Sequence, residues 1–215
     1  MESLERLQRQ LGSLSDLRDI VRTMKALSAA NIRQYEEAVE ALAGYYRTVE
    51  RGLHVVLRDT RGDAPAPRRG HTTPTLAAVV FGSDHGLCGR FNETVTAHAM
   101  LRMETVSSDA AGRRVLAVGA RVTAGLADAG QAIADEFPLP GSAAHITATV
   151  QRILVQLERW RSEGVAQRVY LFYNRPSGAR GYSPVGIELL PVNLHRFRRL
   201  EEEAWPSRSL PTHSM

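Results

Sequence analysis

The 215-residue sequence holds a single cysteine, Cys88, which excludes an internal disulfide and suits a reducing compartment. No paired Cys/His cluster is present to hold a structural zinc. His54, His71, His98, His145, His195 and His213 show neither H-x-x-x-H nor H-E-x-x-H spacing, so no metal and no cofactor are expected. No apolar run approaches the roughly 20 residues needed to span a bilayer. The opening MESLERLQRQ is charged from its second residue, unlike a signal peptide. An intracellular, soluble chain with no direct membrane insertion is the expectation. Lysine is nearly absent as well: Lys25 stands alone, and arginine carries almost all the positive charge. The net charge of +4 is spread along the chain and interleaved with Glu and Asp, so no basic stripe marks a nucleic-acid partner.

Proline is missing until Pro65, and the stretch before it carries a regular seam. The seam runs Leu4, Leu7, Leu11, Leu14, Leu17, Val21, Met24, Ser28, Ile32, Tyr35, Val39, Leu42, Tyr46, Val49, Leu53 and Val56, with every spacing three or four. This pattern predicts one coiled-coil-like helix of about 80 Å at ~1.5 Å per residue. Gly12, Gly44 and Gly52 weaken it, and the small residues from Ala26 to Asn31 thin the apolar stripe. Periodicity alone leaves a homodimeric coiled coil and packing against another chain or a distant segment as equal alternatives.

Residues 59–74, rich in Pro, Gly and charge, read as a linker, and 75–193 as a second unit of alternating strands and helices. Strands are expected at 75–81, 114–119, 168–173 and 184–191. Helices are expected from Asn92 to Val106, capped by Asn92 or Thr94, from Val122 to Ala127, and from Ser142 to Ser162. In the last, Ile146, Val150, Ile153, Leu154 and Leu157 are assigned to the buried face. This alternation predicts a Rossmann-like α/β domain with a mostly parallel sheet. The final strand is predicted antiparallel, because its connection is too short for a crossover helix. Residues 194–215 read as a connector that starts helically, from Leu194 to Ala204.

The segment Phe81-Gly-Ser-Asp-His-Gly-Leu-Cys-Gly-Arg-Phe-Asn92 lies between a strand and a helix, where dinucleotide and phosphate loops occur. Its glycines fit neither G-x-G-x-x-G nor G-x-x-x-x-G-K-[ST]. Asp84, His85 and Cys88 raise the alternative of a histidine-activated thiol in a Rossmann-like enzyme, against the plainer reading of Cys88 as a small buried side chain. On the long helix, Arg22, Lys25 and Arg33 form a basic surface suited either to solvent or to an acidic partner.

Two segments together resemble the γ subunit, the central stalk, of F-type ATP synthases. Ile20-Val-Arg-Thr-Met-Lys-Ala-Leu-Ser-Ala-Ala-Asn-Ile-Arg33 is similar to I-T-x-A-M-x-M-V-A-A-x-K-[LF]-R. Ser83-Asp-His-Gly-Leu-Cys-Gly-Arg-Phe-Asn92 is similar to S-D-R-G-L-C-G-G-[FY]-N. Weaker echoes are Val118-Gly-Ala-Arg121, Phe172-Tyr-Asn174 and Leu189-Leu-Pro191. Thr23, Asn31, His85 and Arg90 depart from the pattern and suggest a divergent branch.

The resemblance implies a shaft helix over 1–58 and a non-catalytic rotor, coupling ion translocation to ATP synthesis or hydrolysis on partner subunits. The implied partners are the alpha and beta subunits, the epsilon subunit and the membrane c-ring. The implied location is peripheral, on the cytoplasmic face of a bacterial plasma membrane. Arg22, Met24, Lys25 and Arg33 become the expected ring contacts, and Asp84, Leu87 and Cys88 the loop where the α/β domain meets shaft or ring. Family members continue into a second long shaft helix, so a truncated chain is expected.

Overall fold

The structure, a computed structural model, describes residues 2–59, 75–107, 109–178 and 181–192. Of the linker expected at 59–74, Asp59 belongs to the long helix and residues 60–74 lie outside the described residues, as does the connector expected at 194–215 with its helix from Leu194. The chain divides into two compact units, Met1–Val56 and Leu57–Met215.

The first unit is a single helix, α1 (Glu2–Asp59), 58 residues long. It spans roughly 87 Å at 1.5 Å per residue. Its seam is exposed wherever the side chains are described, apart from half-buried Tyr35, from Leu4 at 65% to Val49 at 45%. No helix among the described residues is long and apolar enough to cross a membrane.

The second unit is built on a five-stranded sheet. Its elements are β1 (Leu76–Phe81), α2 (Phe91–Val106), β2 (Arg113–Val118), α3 (Ala120–Asp128), β3 (Asp135–Phe137), α4 (Ile146–Ser162), β4 (Arg168–Pro176) and β5 (Tyr182–Leu190). The order across the sheet is β3-β2-β1-β4-β5. Four strands run parallel, and β5 returns antiparallel to β4, as its short connection requires.

Strand alternation sorts the core into two layers. Leu76, Ala78 and Val80 of β1 face α2 and α3, joining Val95, Ala99, Met103, Val122 and Leu126. Ala77 and Val79 face the other way, towards Ile153, Leu157 and Trp160 of α4. The chain steps outward from β1 to β3, then jumps back past β1 to form β4. Right-handed crossovers in opposite directions put their helices on opposite faces, which is why α4 stands apart from α2 and α3.

Three expectations need correction. β3 lies where no strand is expected: it has three residues and one apolar side chain, Phe137, too little for a periodic signal. On α4, Val150 and Leu154 are exposed, while Trp160 is buried with Ile153 and Leu157. At 100° per residue the buried face centres on 146, 153, 157 and 160, and positions 150 and 154 drift off its edge. At the start of α2, neither Asn92 nor Thr94 caps the helix; Arg90 holds the N-cap position, and its side chain makes no capping bond. The Asn92 side chain is engaged elsewhere.

Candidate functional site

The jump from β3 back to β4 makes the gap between β1 and β4 the topological switch point, and the loop after β1 leaves the carboxyl edge of the sheet there. Open α/β sheets commonly bind ligands at this place. Here the loop is filled by its own side chains. Gly82 starts the turn because no side chain fits: a Cβ would come within 2.4 Å of Val122 Cβ. Asn92 then ties the loop to α2. Its Oδ1 accepts from the Ser83 amide at 2.9 Å, and its Nδ2 donates to Ser83 Oγ at 2.8 Å and Cys88 Sγ at 3.2 Å.

Asp84 works in the other direction. Its Oδ1 accepts from the Ala120 amide and its Oδ2 from the Leu139 amide, both at 2.9 Å. One carboxylate thus joins the β1 loop, the amino end of α3 and the segment after β3, and its charge complements the helix terminus. The position an anionic phosphate would take at that terminus is held by a residue of the same sign. Gly119, at φ +113°, allows the close approach: a Cβ there would stand 3.0 Å from the Ser83 backbone. From the sheet side, Asn174 Nδ2 donates to the Phe91 carbonyl at 2.8 Å.

Cys88 is half-buried, with Ser83 Oγ at 3.5 Å and the His85 carbonyl at 3.8 Å. The contact from His85 is a backbone oxygen, so the histidine-activated thiol lacks the base its mechanism needs. Leu87, by contrast, projects outward, 85% exposed, at φ +64°. A bulky residue in the left-handed region costs on the order of 1 kcal/mol. Folding alone gives no return on holding an apolar side chain in water in that conformation.

In the other unit, Arg22, Lys25 and Arg33 are exposed on α1, and Arg33 stands 3.7 Å from Glu37. At 100° per residue these three basic positions fall within roughly 80° of arc. Met24 points roughly 150° away from their centre, within the apolar seam. Three of the four expected contacts therefore share a face, and Met24 belongs to another. Sequence reasoning missed Ser83, Asn92 and Asn174 as the loop's fasteners. Their signal was already present, since Ser83 and Asn92 bound the Ser83–Asn92 motif and Asn174 ends the echo Phe172-Tyr-Asn174.

Against known proteins, the family model described as "ATP synthase" matches residues 3–213. The chain is similar to the ATP synthase gamma chain of Caulobacter sp. (strain K31), with 24% identity over 197 residues, covering 90% of the chain and 67% of the relative. It is 27% identical to that of Caulobacter vibrioides (strain NA1000 / CB15N), covering 89% and 67%. The chain thus spans about two thirds of the length of these curated relatives. Among solved structures it is similar to a chain of the Euglena gracilis mitochondrial ATP synthase rotor, with TM-score 0.44 and 17% identity over 83% of this chain and 67% of that one. A chain of the Tetrahymena thermophila mitochondrial ATP synthase central stalk and c-ring gives TM-score 0.42 and 19% identity, covering 81% and 79%.

Proposed function

The chain belongs to the ATP synthase gamma-chain family, and from that premise we propose that it is the central-stalk rotor of an F-type ATP synthase. It couples ion translocation mechanically to ATP synthesis or hydrolysis on alpha and beta subunits. The observation that carries this reading is the helix of 58 residues whose apolar seam is left in water. Each leucine moved from water into a packed interface contributes about 1.5–3 kcal/mol, so such a seam is a stable design only when covered. Its natural cover is a second long helix packed along it, giving a stiff shaft. Met24 belongs to that contact.

The opposite face of α1 meets the alpha/beta ring. Arg22, Lys25 and Arg33 are the ring contacts, placed where an acidic surface reads them as the shaft turns. Asp84, Leu87 and Cys88 serve a second contact: Asp84 and Cys88 hold the loop, and Leu87 is its apolar tip. No bond is made or broken on this chain, which agrees with a switch-point loop occupied by its own side chains. Further partners are the epsilon subunit and the membrane c-ring. The complex is peripheral, on the cytoplasmic face of a bacterial plasma membrane.

Charge reversal tests the ring contact. In a reconstituted complex, Lys25→Glu with Arg33→Glu lowers ATP-driven ion pumping relative to ATP hydrolysis. Pumping and synthesis at wild-type levels would remove these residues from the ring interface.

A further inference from the structure

Beside the switch-point loop, with Asn92 and Arg121 at its near end, α2 and α3 leave an open cleft of about 590 Å³ between them. Its floor is made of small residues. Thr96 of α2 meets Gly125 of α3, where an added Cβ would stand 3.2 Å from the Thr96 hydroxyl. Thr96 is 7% exposed, and its hydroxyl has no hydrogen-bond partner among the described residues. Buried polar atoms in finished cores are nearly always paired, so this one marks a packing layer that lacks a neighbour. Above the floor, Ala97 and Ala124 are exposed on the two walls. Small side chains on both walls are what a third helix needs to approach at 8–10 Å between axes.

The charges at the two ends of the cleft say which helix fits. Arg121 stands at the amino end of α3 and Asp128 at its carboxyl end, about 10 Å apart at 1.5 Å per residue. Both are exposed, and neither side chain makes an ion pair or hydrogen bond among the described residues. Glu93, on the opposite wall, is already paired with Arg90 at 3.2 Å. The two open charges therefore have opposite sign and a fixed separation of two helical turns. The α3 macrodipole adds to the Asp128 end and favours a neighbour running the other way.

We propose that this cleft seats an amphipathic helix of a partner protein, antiparallel to α3. That helix places small apolar residues on the Thr96–Gly125 floor and a lysine or arginine against Asp128. About seven residues later it places an aspartate or glutamate against Arg121. The inference concerns a surface separate from the α1 contacts and does not depend on the rotor reading.

The test uses the full chain and two synthetic helical peptides of about 20 residues, each carrying the same Ala/Leu face and a photo-crosslinker. One has Lys seven residues before Glu; the other has the two exchanged. The first is expected to bind about fivefold tighter by fluorescence anisotropy. Arg121→Glu with Asp128→Lys reverses that preference, and Ala124→Arg, an exposed change that leaves the fold intact, abolishes capture. Crosslinks fall on residues 92–100 and 121–129. Equal binding of the two peptides that the swap leaves unchanged, no binding, or capture on α1 alone would overturn the proposal. Self-association of the chain that Ala124→Arg removes would also overturn it, in favour of a second copy as the occupant.

Discussion

Leu14 and Phe172 are both large apolar side chains placed by a regular period, one helical and one strand-like. Phe172 is fully buried between β4 and α2, whereas Leu14 on α1 is 62% exposed. A sheet finds its cover within the same stretch of chain, because each crossover brings a helix back over the strands. A lone helix has no such return. Its period fixes its conformation and the face to be covered, and leaves the cover to another element.

Substitutions at four positions sharpen or break this contrast. The largest effect is expected from Phe172→Ala, which opens a cavity in the α/β core and lowers stability by about 3–5 kcal/mol. In the same chemical unfolding experiment, Leu14→Ala costs no more than about 0.5 kcal/mol in the free chain, as for an exposed site. A Leu14→Ala loss as large as that of Phe172→Ala would mean that the seam is already covered, and the contrast would fail.

The next effect is at Asp84, where alanine removes the acceptor of two backbone amides from separate segments. A loss of about 2 kcal/mol is expected, with Asp84→Asn, which keeps one acceptor oxygen, losing less. An unchanged midpoint for Asp84→Ala would show that the loop does not depend on its clamp. A smaller effect than that at Asp84, and a gain, is expected at Gly44, where an added Cβ would meet nothing within 4 Å. Gly44→Ala should raise the helix stability of the free chain by up to about 1 kcal/mol, read as a higher melting temperature of the α1 circular dichroism signal. A fall instead would place a close neighbour over that face.

The sequence was legible where a periodic signal was long or a loop residue chemically distinctive. The seam from Leu4 to Val49 specifies α1 because apolar spacings of three and four, sustained over that length, match a helical period and not the two-residue period of a strand. The apolar run at Leu76–Phe81 reads as a doubly covered strand, and the antiparallel turn of β5 follows from the short connection after β4. What stayed hidden was short or shared. β3 exists only because Leu116–Val118 of β2 offers it an edge. Trp160 is buried because the α4 face drifts by a few tens of degrees over four turns.

The loop shows the same division. Its motif marked the residues, but which atoms they hold was not visible in one dimension. Asp84 reaches amides 36 and 55 residues away. Asn92, expected as a helix cap, spends its side chain on Ser83 and Cys88. A capping residue and a loop fastener are the same residue type, and only the position of Ser83 in space separates them.

The central claim is that α1 is a shaft helix completed by its assembly, while the sheet of the α/β unit is covered by helices of its own chain. Hydrogen exchange of the chain, free and reconstituted with ATP synthase alpha and beta subunits, tests it most directly. Amides along residues 4–52 of α1 are expected to exchange quickly in the free chain and to become strongly protected on assembly. Those of β1, β2 and β4 should be equally protected in both states. Strong protection of α1 in the free chain, or no gain on adding the subunits, would contradict the account.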